Sequence, residues 1–193
     1  MYVKNMLLTP NSFFPGLSFV EVNINNRLKE INSGFSTQEM QNNIVKLGLT
    51  YGGYSEDRSW MWQNTYLKNK DAIHLGVDIN VPCGTNVNIP FISEVIDVYN
   101  DADTDIGWGT RLIVKRGSYA IILAHLQKIP HLAGDMLMPG FKATVGTYPD
   151  NGNVFEHLHV QVMHIDNLNI EKLDGYGTYE DLKTNLNPFA IDL

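Results

Sequence analysis

Short apolar bursts separated by turn residues dominate the chain from Ala72 onward. Residues 73–81 read as one strand, and Pro82-Cys83-Gly84-Thr85 reads as a turn. Residues 86–88 and 92–99 are strand-like around Pro90, a residue that suits an edge or a bend. Residues 111–115 and 119–125 predict a hairpin about Arg116-Gly117-Ser118. Two short strands with turn glycines follow in 133–140, and another in 142–146. Residues 157–165 alternate cleanly, with Leu158, Val160 and Val162 on one face. Residues 100–109 and 148–154 are polar loops.

The N-terminal part has a different pattern. Ser36-Thr37-Gln38-Glu39 is a capping-box signature that opens a helix to about Leu47, with Met40, Ile44, Val45 and Leu47 on one face. Residues 17–32 begin like a strand and end like a helix. Residues 1–16 and the polar tail 166–193 read as irregular. The expected architecture is mainly β, an antiparallel sheet structure with short N-terminal helical additions. We expect residues 1–50 to be an extension packed on a domain formed by 51–193, whose core is 70–165.

Composition narrows the function. A hydrophobic share of 44% in 193 residues supports one domain with its own core. Fourteen basic against twenty-one acidic residues give a net charge of −7, which argues against a nucleic-acid partner. No apolar run reaches the roughly 18 residues of a membrane span. The single cysteine, Cys83, excludes an intrachain disulfide. Met6-Leu7-Leu8 is too short for a signal-peptide core, so a cytoplasmic location is expected.

The chemistry lies in three of the strands. His74 and Asp78 are four residues apart around Gly76, His125 ends an apolar run, and His157-Leu158-His159 places two imidazoles on one strand face. Imidazole and carboxylate are zinc ligands, and a catalytic zinc keeps three protein ligands and one open position. Three of these five groups can ligate. The other two are then left to hold the attacking water or protonate the leaving amine. No His-Glu-x-x-His helix motif is present, so histidine must act as the general base. Glu156 should face away from His157, and His131 and His164 fit no pattern. The reading is a zinc hydrolase.

These motifs resemble the lysostaphin-like (LytM-type) zinc metallopeptidases. His74 to Asp78 is similar to the family's His-x-x-x-Asp, with its glycine at Gly76, and His157-Leu158-His159 to its His-x-His. Leu123-Ala124-His125-Leu126 is similar to its aromatic-small-His-Leu segment, with Leu123 where many members carry tyrosine. Val81-Pro82-Cys83-Gly84-Thr85 and the glycines from Gly134 to Gly146 agree as well. The resemblance implies the duplicated hybrid β fold. It also implies Zn2+ held by His74, Asp78 and His159, catalytic roles for His125 and His157, and a peptide or peptidoglycan substrate. Two other classes compete: a non-catalytic metal-binding regulatory module and a histidine phosphoryl carrier. The complete ligand set speaks against both.

One further stretch, Tyr51-Gly52-Gly53-Tyr54-Ser55-Glu56-Asp57-Arg58, puts two glycines among aromatics ahead of a run of charges. It resembles a run in a leaderless subgroup of that family. We expect it to wall and narrow the substrate cleft, with Arg58 as a cation for a substrate carboxylate. Trp60, Trp62 and Tyr66 extend the aromatic surface. The bland alternative is a surface turn.

Overall fold

The computed structural model describes residues 6–64, 71–100 and 107–193. It is mainly β, as expected. Three short helices lead: α1 (Pro10–Phe13), α2 (Ile24–Glu30) and α3 (Thr37–Lys46). Strand β1 (Val20–Glu21) precedes α2, so residues 17–32 are strand and then helix. The Ser36 side chain accepts from the Glu39 backbone N–H and caps α3 as its sequence predicts.

The strands after α3 are β2 (Thr50–Gly52), β3 (Ile73–His74), β4 (Val77–Asn80), β5 (Asn86–Ile89), β6 (Ser93–Asn100), β7 (Thr110–Arg116) and β8 (Tyr119–Leu126). There follow β9 (Met136–Leu137), β10 (Phe141–Thr144), β11 (Leu158–His164), β12 (Tyr176–Gly177) and β13 (Asn185–Leu186). Among the described residues, nine of them form one sheet in the order β1-β2-β4-β11-β8-β7-β6-β9, with β13 continuing alongside β11. Only the β1–β2 pair is parallel among these. Strands β5 and β10 form a separate ribbon.

Alternation along the strands divides the interior. Leu112, Val114, Ile121, Leu123, Leu158, Val160 and Val162 face the ribbon's Val87, Ile89 and Ala143, and Leu8, Phe13 and Phe14 join them from the N-terminal segment. On the opposite sheet face, Ile113, Ala120, Ile122 and Met163 pack under Ile165, Leu168 and Leu173 of the tail. A third cluster joins α2 and α3, through Ile24, Leu28, Met40 and Ile44, to Met61, Trp62 and Phe155. The face opposite the ribbon therefore has two covers, the tail and the helical segment, and the candidate site lies between them.

Two local expectations change. The strand expected over 73–81 is broken at Leu75-Gly76, where β3 leaves the main sheet to pair with β12. The tail is not irregular: it carries three 3-10 turns and supplies β12 and β13. Polar segments that pair with a strand over only two residues carry no hydrophobic period, so the pattern could not reveal them. No helix among the described residues is long and apolar enough to cross a membrane.

Candidate metal centre

The structure brings all five predicted groups together. Strand register does most of it: His159 on β11 lies directly between Asp78 on β4 and Ala124 on β8. His157, two residues earlier, is on the same face. His125 arrives by a different device. The β7–β8 register slips between Thr110 and Leu112, so β8 carries one extra residue there, and His125 has φ +62°. A left-handed, non-glycine residue in a bulge is a conformation that neighbouring structure must hold. The His125 N–H donates to the Trp108 carbonyl and the Gly146 N–H donates to the His125 carbonyl. All five residues are buried.

The donor atoms converge closely. Asp78 Oδ1 is 3.0 Å from His159 Nδ1, 3.3 Å from His74 Nε2 and 3.3 Å from His157 Nε2. His74 Nε2 is 3.1 Å from His159 Nδ1. A tetrahedral zinc with N and O ligands at 2.0–2.1 Å has ligand–ligand edges of about 3.3 Å. The His74, Asp78, His159 triplet thus has the donor chemistry and the spacing that zinc needs.

The outward nitrogens fix which inward nitrogen is free. His74 Nδ1–H donates to the Gly53 carbonyl at 3.0 Å, His125 Nδ1–H to Asn151 at 2.9 Å, and His157 Nδ1–H to Phe155 at 2.7 Å. Carbonyls only accept, so the Nε2 of each ring is the lone-pair nitrogen when the ring is neutral. His159 is reversed. Its Nε2–H donates to Gln161 Oε1 at 3.1 Å, which turns Nδ1 toward Asp78. Gln161 is itself fixed by donating to the Asp174 carbonyl and to Asn185 Oδ1. Such partners of the ligands set ring orientation and ligand basicity. Gly76 is needed here, because a Cβ would come within 2.7 Å of the His159 ring.

Arg58 overturns an expectation. It is 1% exposed and lies behind the site, where it cannot meet a substrate carboxylate. Its Nη1 donates to Asp78 Oδ2 at 2.6 Å and to the Tyr176 hydroxyl at 3.2 Å, and its remaining donors go to Glu56 Oε2. The 53–58 segment is no cleft wall: it runs along β3 through the Ser55, Arg58 and His74 amides, and its turn at Tyr54-Ser55 lies at the surface, with Ser55 and Asp57 exposed. Tyr51 packs on Phe189, and Tyr54 donates to the Asn185 carbonyl.

The site opens into a cavity of about 270 Å³ whose apolar walls are Trp62, Trp108, Phe155 and Tyr176, with Thr37 of α3 at its edge. Trp62 stacks on Phe155, and Trp108 meets the His159 ring edge-on. Of the other expected aromatics, Trp60 packs on Phe35, and Tyr66 lies outside the described residues. Leu123, at the position where the resemblance expects tyrosine, is buried in the core facing the ribbon. His131 and His164 are elsewhere, packed on Phe141 and Tyr119, and Glu156 accepts from the Cys83 amide. Sequence reasoning missed Trp108, Phe155, Gln161 and Tyr176. Tyr176 sits in a polar tail with no periodicity to mark it, whereas Gln161 could have been found as the next same-face residue after His159.

The electrostatics oppose protonation of two of the rings. Burial, reinforced by Arg58, lowers the His74 pKa to about 3. Burial and the neighbouring imidazoles push His125 well below its usual value. Burial alone would raise the Asp78 carboxyl, but His157, His74 and Arg58 hold it well below the carboxylate range. A histidine with a depressed folded pKa contributes stability that is complete above its unfolded value, near 6.5, and lost as pH falls below it, because only the unfolded chain then takes up the proton. The chelator-treated, metal-free protein is therefore expected to melt at progressively lower temperature from pH 7 to pH 4. Replacing His74 by Gln should flatten that slope. A melting temperature that stays level down to pH 5 would contradict these buried neutral rings.

Comparison with known proteins gives structural similarity only. No protein-family model matches the chain, and no curated protein does. A zinc-containing peptidase from Vibrio cholerae is similar at 22% identity and a TM-score of 0.42, over 62% of this chain and 31% of that one. The catalytic domain of lysostaphin from Staphylococcus simulans is similar at 22% identity and TM-score 0.41, over 48% of this chain and 68% of that one. The catalytic domain of the prophage-encoded M23 protein EnpA from Enterococcus faecalis is similar at 19% identity and TM-score 0.43, over 60% and 76%. The chain spans less than half the length of the Vibrio protein.

Proposed function

We propose that the protein is a zinc-dependent metalloendopeptidase that hydrolyses a peptide bond in a short peptide or in peptidoglycan. The observation that carries this reading is the His74, Asp78, His159 triplet, with donor atoms 3.0–3.3 Å apart beside two further imidazoles. Zinc bound there would supply a Lewis acid and lower the pKa of a water to about 7. The chain's own groups do the rest. Asp78 Oδ1 and the two ligand rings give the metal its place. His125 and His157 have their Nδ1–H groups tied to carbonyls and keep Nε2 for the pocket. There one takes a proton of the attacking water and then passes that same proton to the leaving amine, while the other accepts a hydrogen bond from the water and orients it, so that both rings begin and end neutral. The rings stand 4.3 Å apart, close enough to serve one tetrahedral centre. The aromatic walls exclude water and lay a segment of substrate across the histidines.

The test has two stages. Protein stripped with chelator and titrated with Zn2+ should take up one equivalent. The loaded protein should then release new amino termini from glycine-containing peptides or from purified peptidoglycan, with the activity lost on chelation and restored by zinc. One bound zinc with no cleavage of either substrate class would reduce the site to a binding module. No zinc uptake would remove the reading altogether.

A further inference from the structure

We infer that Arg58, braced by Glu56, is a positioning residue that makes Asp78 a one-oxygen ligand; the inference rests on the metal reading above. The two carboxylate oxygens of Asp78 have different surroundings. Oδ1 faces the Nε2 atoms of His74 and His157 and the Nδ1 of His159, while Oδ2 is taken by Arg58 Nη1 at 2.6 Å. A carboxylate free at both oxygens can chelate an ion with both. One whose second oxygen is committed to a charge-assisted hydrogen bond offers a single oxygen and leaves the remaining coordination position for water.

Arg58 has no freedom to do otherwise. Its Nε and Nη2 both donate to Glu56 Oε2 at 3.3 Å, and Nη1 is shared between Asp78 and the Tyr176 hydroxyl. Tyr176 is held in turn by the Trp62 indole N–H at 2.8 Å. Glu56 uses its other oxygen, Oε1, to accept from the backbone N–H of Asn25 in the first turn of α2, and the Asn25 side chain accepts from the Met61 amide. The cation is thus fixed between two carboxylates, one facing the site and one anchored on a helix N-terminus. The glycines of the run make room for it. A Cβ on Gly53 (φ +104°) would come within 2.4 Å of Arg58 Nη2 and 2.8 Å of His74 Nδ1, and one on Gly52 within 2.2 Å of the Val22 carbonyl. The Tyr-Gly-Gly-Tyr-x-Glu-x-Arg run is therefore a support for two of the three proposed ligands, and it ties the N-terminal helices to the site.

The test compares wild type with Arg58→Met, Arg58→Lys and Glu56→Gln, each checked for a cooperative melt in the metal-free form. Zinc affinity is read by competition with a chromophoric chelator, and coordination by the visible absorption of the Co2+-loaded protein. Loss of a ligand's outer partner typically costs about 10–100-fold in metal affinity. Arg58→Met should fall in that range, and its cobalt bands should weaken relative to wild type as Asp78 turns to chelate with both oxygens. Arg58→Lys keeps the charge without the fork and should recover part of the affinity. If Arg58→Met does not fold, Glu56→Gln carries the test, with a smaller loss in the same direction. Wild-type affinity and wild-type cobalt spectra in the folded variants would overturn the positioning role while leaving the metal site standing. A wild-type protein that binds neither ion would end both.

Discussion

His159→Ala is expected to bind no zinc and to hydrolyse nothing. Of the five groups, His159 is the one shared by both triplets of donors that lie within 4.8 Å of one another, His74-Asp78-His159 and His125-His157-His159. Removing it leaves two neighbouring ligands in either arrangement, too few for a catalytic zinc. The loss in affinity should therefore exceed the roughly 10–100-fold that outer partners typically contribute. Asp78→Asn should be milder for the metal, since an amide oxygen still reaches the site without the charge. It should be harsher for the fold. Arg58 would then keep only Glu56 as a counter-charge while fully buried, and breaking a buried ion pair costs about 3–5 kcal/mol. Metal analysis and a melting curve on the two variants separate these effects. Full zinc occupancy in His159→Ala would remove the assignment of ligands.

The order of those effects shows how much of the site was legible in the sequence. Ligand type and strand period marked five candidate groups, because same-face neighbours recur every second position; the choice of His74, Asp78 and His159 among them came from the family resemblance, and the register that sets Asp78 beside His159 is visible only in the fold. The same pattern gave the hairpin of β7 and β8 and the alternation of β11. It could not give the bulge that aims His125, since an extra residue in one strand leaves no trace in the apolar alternation of the other. It misjudged Arg58 for a related reason. A charged side chain near a glycine turn reads as solvent-facing, and only the three-dimensional pairing with Asp78 and Glu56 makes its burial tolerable. The cavity walls were half visible. Trp62 lies in an aromatic-rich stretch, while Trp108 comes from a loop and Tyr176 from the two-residue strand β12, neither long enough to carry a period.

His125→Ala and His157→Ala should each keep one equivalent of zinc and lose about 10²–10⁴-fold in turnover, the usual contribution of a general acid or base. Two observations favour this division of labour over a zinc held by His125, His157 and His159. The triplet with Asp78 contains an anionic oxygen with the imidazole nitrogens of His74 and His159 within 3.3 Å, a charged donor set that a divalent cation prefers to three neutral rings. The rings of His125 and His157 lie against each other at 4.3 Å with a 44° tilt, beside the donor cluster and at the cavity lining. The loss should fall on kcat with KM little changed, because these rings act on the transition state and contribute little to binding the substrate. The two variants combined should cost far less than the product of the single losses, since both serve one proton-transfer sequence. A metal-free His157→Ala beside a zinc-loaded His74→Ala would show that the three-histidine triplet holds the ion and that His74 and Asp78 are its neighbours.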